Sequence, residues 1–211
     1  MIPYIVPAEL TRTEIEVAKS RFIASLSPAF SVEEARDFIA AIKLEFKDAS
    51  HHVPAFLIGH GASEIVHCTD AGEPSGTAGR PMLAVLRGSG MGDACVVVVR
   101  YFGGIKLGTG GLVRAYSEAV RSVVEAAPRA RKTLVQAVVV NYPYSLVERM
   151  RRLAQAHQVE VVDEQFSTEV RFTGQVEPEL VAPFAAAVQE LTNGSVQLER
   201  GETAFILRRL G

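Results

Sequence analysis

The chain has 211 residues, with 22 Lys+Arg against 24 Asp+Glu and a formal net charge of −2. Near-neutrality excludes a strongly basic nucleic-acid binder and an acidic disordered tail as whole-chain descriptions, though not a local basic patch. The length and 48% hydrophobic content suffice for one large or two small domains with real cores. Two cysteines, Cys68 and Cys95, exclude a disulfide scaffold and point to a reducing compartment.

In chain order, MIPYIVPAEL lacks the basic start of a signal peptide. No apolar run approaches the ~18 residues of a membrane span. The cytoplasm is therefore the expected location. EIEVAKSRFIASLSP alternates apolar and polar residues and predicts one or two strands. Ser31 with Glu34 forms a capping box, and Ala35, Phe38, Ile39, Ile42 and Phe46 follow at helical spacing. PAFLIGHG and SEIVHCTD predict paired strands, placing His60 and His67 on strands, with Gly59 and Gly61 near the turn. DAGEPSGTAGRP is a loop by composition. PMLAVLRGS predicts a short helix with Pro81 at its first position. ACVVVVRY predicts a buried strand, FGGIKLGTGG a second glycine loop, and LVRAYSEAVRSVVEAA a helix.

The Pro-broken basic stretch AAPRARK is the expected boundary between a domain over 1–130 and a domain over 131–211. The second part predicts strand 134–141, helix 144–157, strands 160–163 and 168–173, helix 179–192 and strand 195–198, with 203–207 offering another. This β-α-β-β-α-β succession is the ferredoxin-like pattern, so the class is α+β.

Thirteen of the 17 glycines fall between Gly59 and Gly111, where unusual backbone geometry is concentrated. In RYFGGIKLGTGGLVRAY a strand runs through Gly103, Gly104, Gly108, Gly110 and Gly111 into a helix. A helix start after such a loop offers free N–H groups to an anion, with Arg100, Lys106 and Arg114 adding charge. Neither G-x-x-x-x-G-K-[ST] nor G-x-G-x-x-G is present, and a plain tight turn is the competing account. In the other loop, Asp70 and Glu73 are expected near the surface, where they either receive protons and bind ligand or cap turns. His51, His52, His60, His67 and Cys68 lack metal-ligand spacing, so neither a metal nor a cofactor is expected. His51, Asp70 and Glu73 are the acid–base candidates.

KSRFIA, SHHVPAF, DAGEPSGTAGRP and VVVVRYFGGIKLGTGGLVRAYSEA together resemble the YigZ/IMPACT family, in its bacterial branch. The resemblance is multi-motif through 15–125 and chiefly topological over 133–211. It implies an N-terminal domain like the second domain of a small-subunit ribosomal protein. It also implies a ferredoxin-like C-terminal domain similar to a late domain of elongation factor G. Eukaryotic relatives regulate translation initiation by competing for an activator of a starvation-responsive kinase. That role uses a further N-terminal domain and is not expected here.

Two functions follow as expectations. One is a non-enzymatic, translation-linked protein that binds RNA, the ribosome or translation factors. Arg100, Lys106 and Arg114 would contact phosphate while Tyr101 or Phe102 stack on bases. The other is an enzyme on a small phosphorylated or nucleotide substrate, using Asp70, Glu73 or His51.

Overall fold

The computed structural model describes residues 3–210. The chain divides into two compact units, one of residues 4–131 with 207–210 and one of residues 132–206 with Pro3.

The first unit contains β1 (Tyr4–Pro7), β2 (Thr11–Val17), β3 (Ser20–Pro28), α1 (Val32–Glu45), β4 (His51–Ile58), β5 (Ile65–Cys68), α2 (Gly79–Gly88), β6 (Ala94–Tyr101) and α3 (Gly108–Ala126). Strands β2-β3-β6-β4-β5 form one sheet, antiparallel at every pairing. Helix α1 covers one face, and α2 with α3 covers the other. Central strand β6 shows why the sequence demands this. Val96 and Val98 pack with Met82, Leu86, Tyr116 and Val120, while Cys95, Val97 and Val99 pack beneath α1. A strand buried on both faces reads as an unbroken apolar run. Each fully buried valine contributes roughly 1.5–3 kcal/mol over exposure.

Ser31 caps α1, its hydroxyl accepting from the Glu34 amide at 3.0 Å. Several boundaries depart from expectation. β4 begins at His51 and carries Pro54 inside it. Pairing with β5 starts at Ala55, and the Pro54 carbonyl still accepts from the Thr69 amide at 3.4 Å, so the missing proline N–H falls at the end of that pairing. His60 lies off the strands, before a single 3-10 turn at Gly61–Ser63, whereas His67 lies on β5. α2 starts at Gly79, two residues before Pro81. α3 starts at Gly108, so Gly108, Gly110 and Gly111 form its first turn and not a loop. β1 is too short at four residues to announce itself by alternation.

The second sheet draws on β7 (Arg129–Tyr142), β8 (Glu160–Phe166), β9 (Val170–Val176) and β10 (Leu198–Arg209), with α4 (Val147–Ala156) and α5 (Val181–Leu191) between them in sequence. Its order is β1-β7-β9-β8, with β10 also on β7. β9 lies between β7 and β8 and is antiparallel to both, the split βαβ arrangement of the expected α+β, βαββαβ class. Val138, Val140 and Tyr142 of β7 and Val170, Phe172 and Val176 of β9 form the core with Met150 of α4 and Phe184 of α5. Arg129–Lys132, part of the stretch expected as the domain boundary, are the first residues of β7. Of the two strands expected after α5, 203–207 lies inside β10, whereas 195–197 precede it and only Leu198 of the first expected strand belongs to it.

Candidate functional site

Antiparallel register assembles the site before any loop is considered. Arg100 of β6 lies opposite Phe22 of β3 and His51 of β4. All three stand on the sheet face that α2 and α3 cover, because residues two apart in a strand share a face and Val98 faces those helices. Tyr101 therefore points the other way. Its hydroxyl donates to Asp48 at 2.9 Å, and the Arg21 guanidinium lies 5.4 Å from its ring centre.

The 70–81 loop drops Glu73 onto this row. Its side chain is 3% exposed, where the composition of the loop led to a surface expectation. The reason is a set of three polar partners waiting below. Glu73 Oε1 accepts from Arg100 Nη1 at 2.7 Å and from the Tyr116 hydroxyl at 2.7 Å, and His51 Nε2 lies 3.9 Å away. Oε2 takes no hydrogen bond within the chain, and Glu73 lines a cleft. Burial, then the hydrogen bond and charge of Glu73, push the Tyr116 phenol far above its ordinary value. His51 Nδ1 lies 3.0 Å from the Ala71 carbonyl. A carbonyl only accepts, so Nδ1 carries the hydrogen and Nε2 is the nitrogen turned toward Glu73.

Arg100 is clamped on every side but one. Its guanidinium lies 5.4 Å from the Phe22 ring centre and 5.6 Å from that of Phe102. Nη2 reaches the Ser20 hydroxyl at 3.5 Å, and the same oxygen accepts from the Gly103 amide at 3.1 Å. Nε is buried and has no hydrogen-bond partner. A buried N–H without a partner is uncommon and costs about 1–3 kcal/mol.

Above this floor opens a cleft of roughly 480 Å³, lined by Glu73, Pro74, Arg100, Phe102, Lys106, Leu107, Gly108, Thr109 and Leu112. Leu107 at the N-cap of the 19-residue α3 supplies no side-chain bond, so the first-turn amides are uncapped from within the chain. Lys106 is exposed and makes no ion pair among the described residues. Phe102 is 51% exposed. Gly103 permits the loop to lie against the turn between β2 and β3, since a Cβ there would lie 2.0 Å from the Lys19 carbonyl. Gly104 and Gly108 have φ of +86° and +71°, a region that favours glycine.

The structure thus brings together Glu73, Arg100, Phe102, Lys106 and Gly108 from two separate glycine-rich segments, with His51 beneath. It sets other candidates apart. Asp70 spends its carboxylate on backbone, with Oδ2 accepting from Gly76 at 2.8 Å and Oδ1 from Ala78 at 3.1 Å and Gly79 at 2.9 Å. Burial works to raise this carboxyl, but those amides and nearby Arg80 hold it below its ordinary value. Arg114 is exposed in a different groove, with Val17, Leu107, Glu118 and Arg121. Gly110 and Gly111 belong to the first turn of α3, and Gly111 borders the groove of Arg114. Burial pushes the Cys95 thiol up to about 12, as for an inert core residue.

Sequence reading missed Ser20, Phe22 and Tyr116. Their signal lay in KSRFIA and in a tyrosine on the apolar side of a helix, both of which also fit plain packing. Among the described residues, no three His, Cys, Asp or Glu side chains gather as a metal site, and no helix is long and apolar enough to cross a membrane.

Comparison with known proteins places the same segments in a family context. Residues 18–124 match the Impact N-terminal domain, and residues 140–195 match a domain of unknown function, DUF1949. The IMPACT family member YvyE of Bacillus subtilis is 36% identical over 203 residues, covering 96% of this chain and 93% of that protein. The IMPACT family member YigZ of Escherichia coli is 36% identical over 199 residues, covering 94% and 98%. A solved structure, described as a crystal structure of an hypothetical protein, is 35% identical with a TM-score of 0.65, covering 96% of this chain and 98% of its own.

Proposed function

The chain belongs to the IMPACT family, and from that premise we propose that it is a translation-linked protein that binds RNA or the ribosome, with a phosphate held in the cleft between the two glycine-rich segments. The observation that carries the proposal is exposed Lys106 beside the uncapped start of the 19-residue α3, in a cleft that Arg100 also lines. Donors left without partners within the chain are supplied by an anion. Phe102, exposed at the rim, offers a surface on which a base can stack. The net charge of −2 argues for a local contact over wide nonspecific coating of nucleic acid.

The test is RNA binding against salt for the wild type, Lys106→Ala and Arg114→Ala. Lys106→Ala is expected to weaken binding and to lower the salt slope by roughly one phosphate contact. Affinity and slope equal to wild type in Lys106→Ala would overturn the cleft as the phosphate site. Arg114→Ala asks whether the separate groove along α3 also touches the backbone.

A second reading is an enzyme acting on a small phosphorylated or nucleotide substrate. It is favoured by one observation: a carboxylate, Glu73, lines the same cleft with an imidazole 3.9 Å away.

A further inference from the structure

The cleft carries an acceptor as well as donors, and this restricts the ligand. Glu73, which lines the cleft, accepts both of its protein hydrogen bonds at Oε1 and leaves Oε2 without one. Its charge is balanced by Arg100 at 2.7 Å, so the Glu73 end of the cleft offers no net positive charge. The unbalanced positive charge, Lys106 with the α3 amides, lies elsewhere. Tyr116, which holds Glu73, is eight residues beyond Gly108, or ~12 Å along the helix axis. Its side chain leans back toward the N-terminus and shortens that separation. The cleft is therefore polarised: anion donors at the helix start, a hydrogen-bond acceptor at the floor.

Apolar surface lies between the two ends. Pro74, Leu107 and Leu112 line the walls. The Phe102 ring is fixed from one side by the Arg100 guanidinium at 5.6 Å and is 51% exposed. Its backbone is held by the Ser50 hydroxyl, which accepts from the Phe102 amide at 3.2 Å. A ring held in this way is a prepared stacking platform.

We propose that the cleft takes a single phosphorylated nucleoside: phosphate at Lys106 and the α3 amides, base on Phe102, and a donor of the base or sugar on Glu73 Oε2. The proposal rests on the phosphate reading above and narrows it. A strand running on through the cleft would bring its next phosphate toward a floor whose cation, Arg100, is already paired with Glu73, so nothing there would neutralise it. One nucleotide places its only phosphate at the opposite end. The volume of roughly 480 Å³ lies within the range of small-ligand pockets. Two sources present this chemistry, a free nucleoside monophosphate and the 5′-phosphorylated end of an RNA.

The experiment is calorimetric titration of the full chain with AMP, GMP, CMP and UMP, the four nucleosides, inorganic phosphate, and one short RNA with and without a 5′-phosphate. At least one monophosphate is expected to bind tenfold or more tighter than its nucleoside and than inorganic phosphate. Phe102→Ala, at an exposed site, is expected to cost the nucleotide about tenfold, the lower part of the range for base–aromatic stacking. The same variant should leave inorganic phosphate unchanged. Lys106→Ala should weaken both. Glu73→Gln should change the ranking among the four bases; Phe102→Ala supplies the readout if that variant does not fold. Preference for the 5′-phosphorylated RNA over its 5′-hydroxyl form identifies a chain end as the source, and free nucleotide without that preference identifies the small molecule. Monophosphates no tighter than inorganic phosphate, or indifferent to Phe102→Ala, would overturn the nucleotide while leaving the phosphate site standing. No binding of phosphate in any form, with RNA insensitive to Lys106→Ala, would overturn both readings.

Discussion

Glu73 and Asp70 lie three residues apart in one loop and have opposite fates, which residue type alone does not reveal. Glu73 sits under the loop against Arg100 and Tyr116. Removing one partner of a buried pair strands the other charge, at about 3–5 kcal/mol. Glu73→Ala should therefore destabilise strongly in urea unfolding, and Arg100→Met added to it should restore part of the loss. A cost below about 1 kcal/mol, the magnitude of an ordinary surface change, would show the pair to be energetically idle. Asp70 instead ties down the amides of Gly76, Ala78 and Gly79 at the head of α2. Because the folded-state carboxyl is held below its ordinary 3.8, its contribution is complete above that value and is lost as the pH falls through the depressed folded one. Asp70→Asn should cost about 1 kcal/mol at pH 7, with the difference from wild type shrinking toward pH 3. A gap constant from pH 7 to pH 3 would remove the charge from the explanation.

At the scale of elements, the glycines between β6 and α3 do different jobs that their spacing does not distinguish. Gly103 is needed by the fold, because a Cβ would strike the Lys19 backbone. Gly103→Ala should destabilise by several kcal/mol or prevent folding. Gly110 is helical, and a Cβ there meets nothing. Gly110→Ala should therefore stabilise by roughly 0.4–1 kcal/mol. If the same change also weakens phosphate binding, that glycine serves close approach of a ligand; if binding is unchanged, it serves neither fold nor phosphate. The elements themselves were largely legible, since burial on both faces writes ACVVVV unbroken and the Ser31–Glu34 box marks α1. The start of α3 was not. Helix propensity puts glycine outside helices, and here three of the first four residues are glycine. The convergence of Glu73 on Arg100 was equally hidden, because register across β3, β6 and β4 decides it and no local pattern encodes a partner 27 residues away.

At the scale of the molecule, the candidate site lies wholly within residues 4–131, and so do the apolar clusters beneath α1 and beneath α2 and α3. The second unit has its own core on β7 and β9 with α4 and α5. Each core is fed by residues of its own unit, which is the condition for independent folding. A fragment of residues 4–131 retains the whole β2-β3-β6-β4-β5 sheet and both helical layers. It gives up the contribution of 207–210 and the remainder of β7. The fragment is expected to unfold cooperatively, with a denaturant slope reduced roughly in proportion to the surface it exposes. It should also keep the full response of nucleotide binding to Lys106→Ala and Phe102→Ala. A fragment that is soluble but unfolded would make the first core dependent on the second. A folded fragment that had lost binding would move part of the site outside residues 4–131.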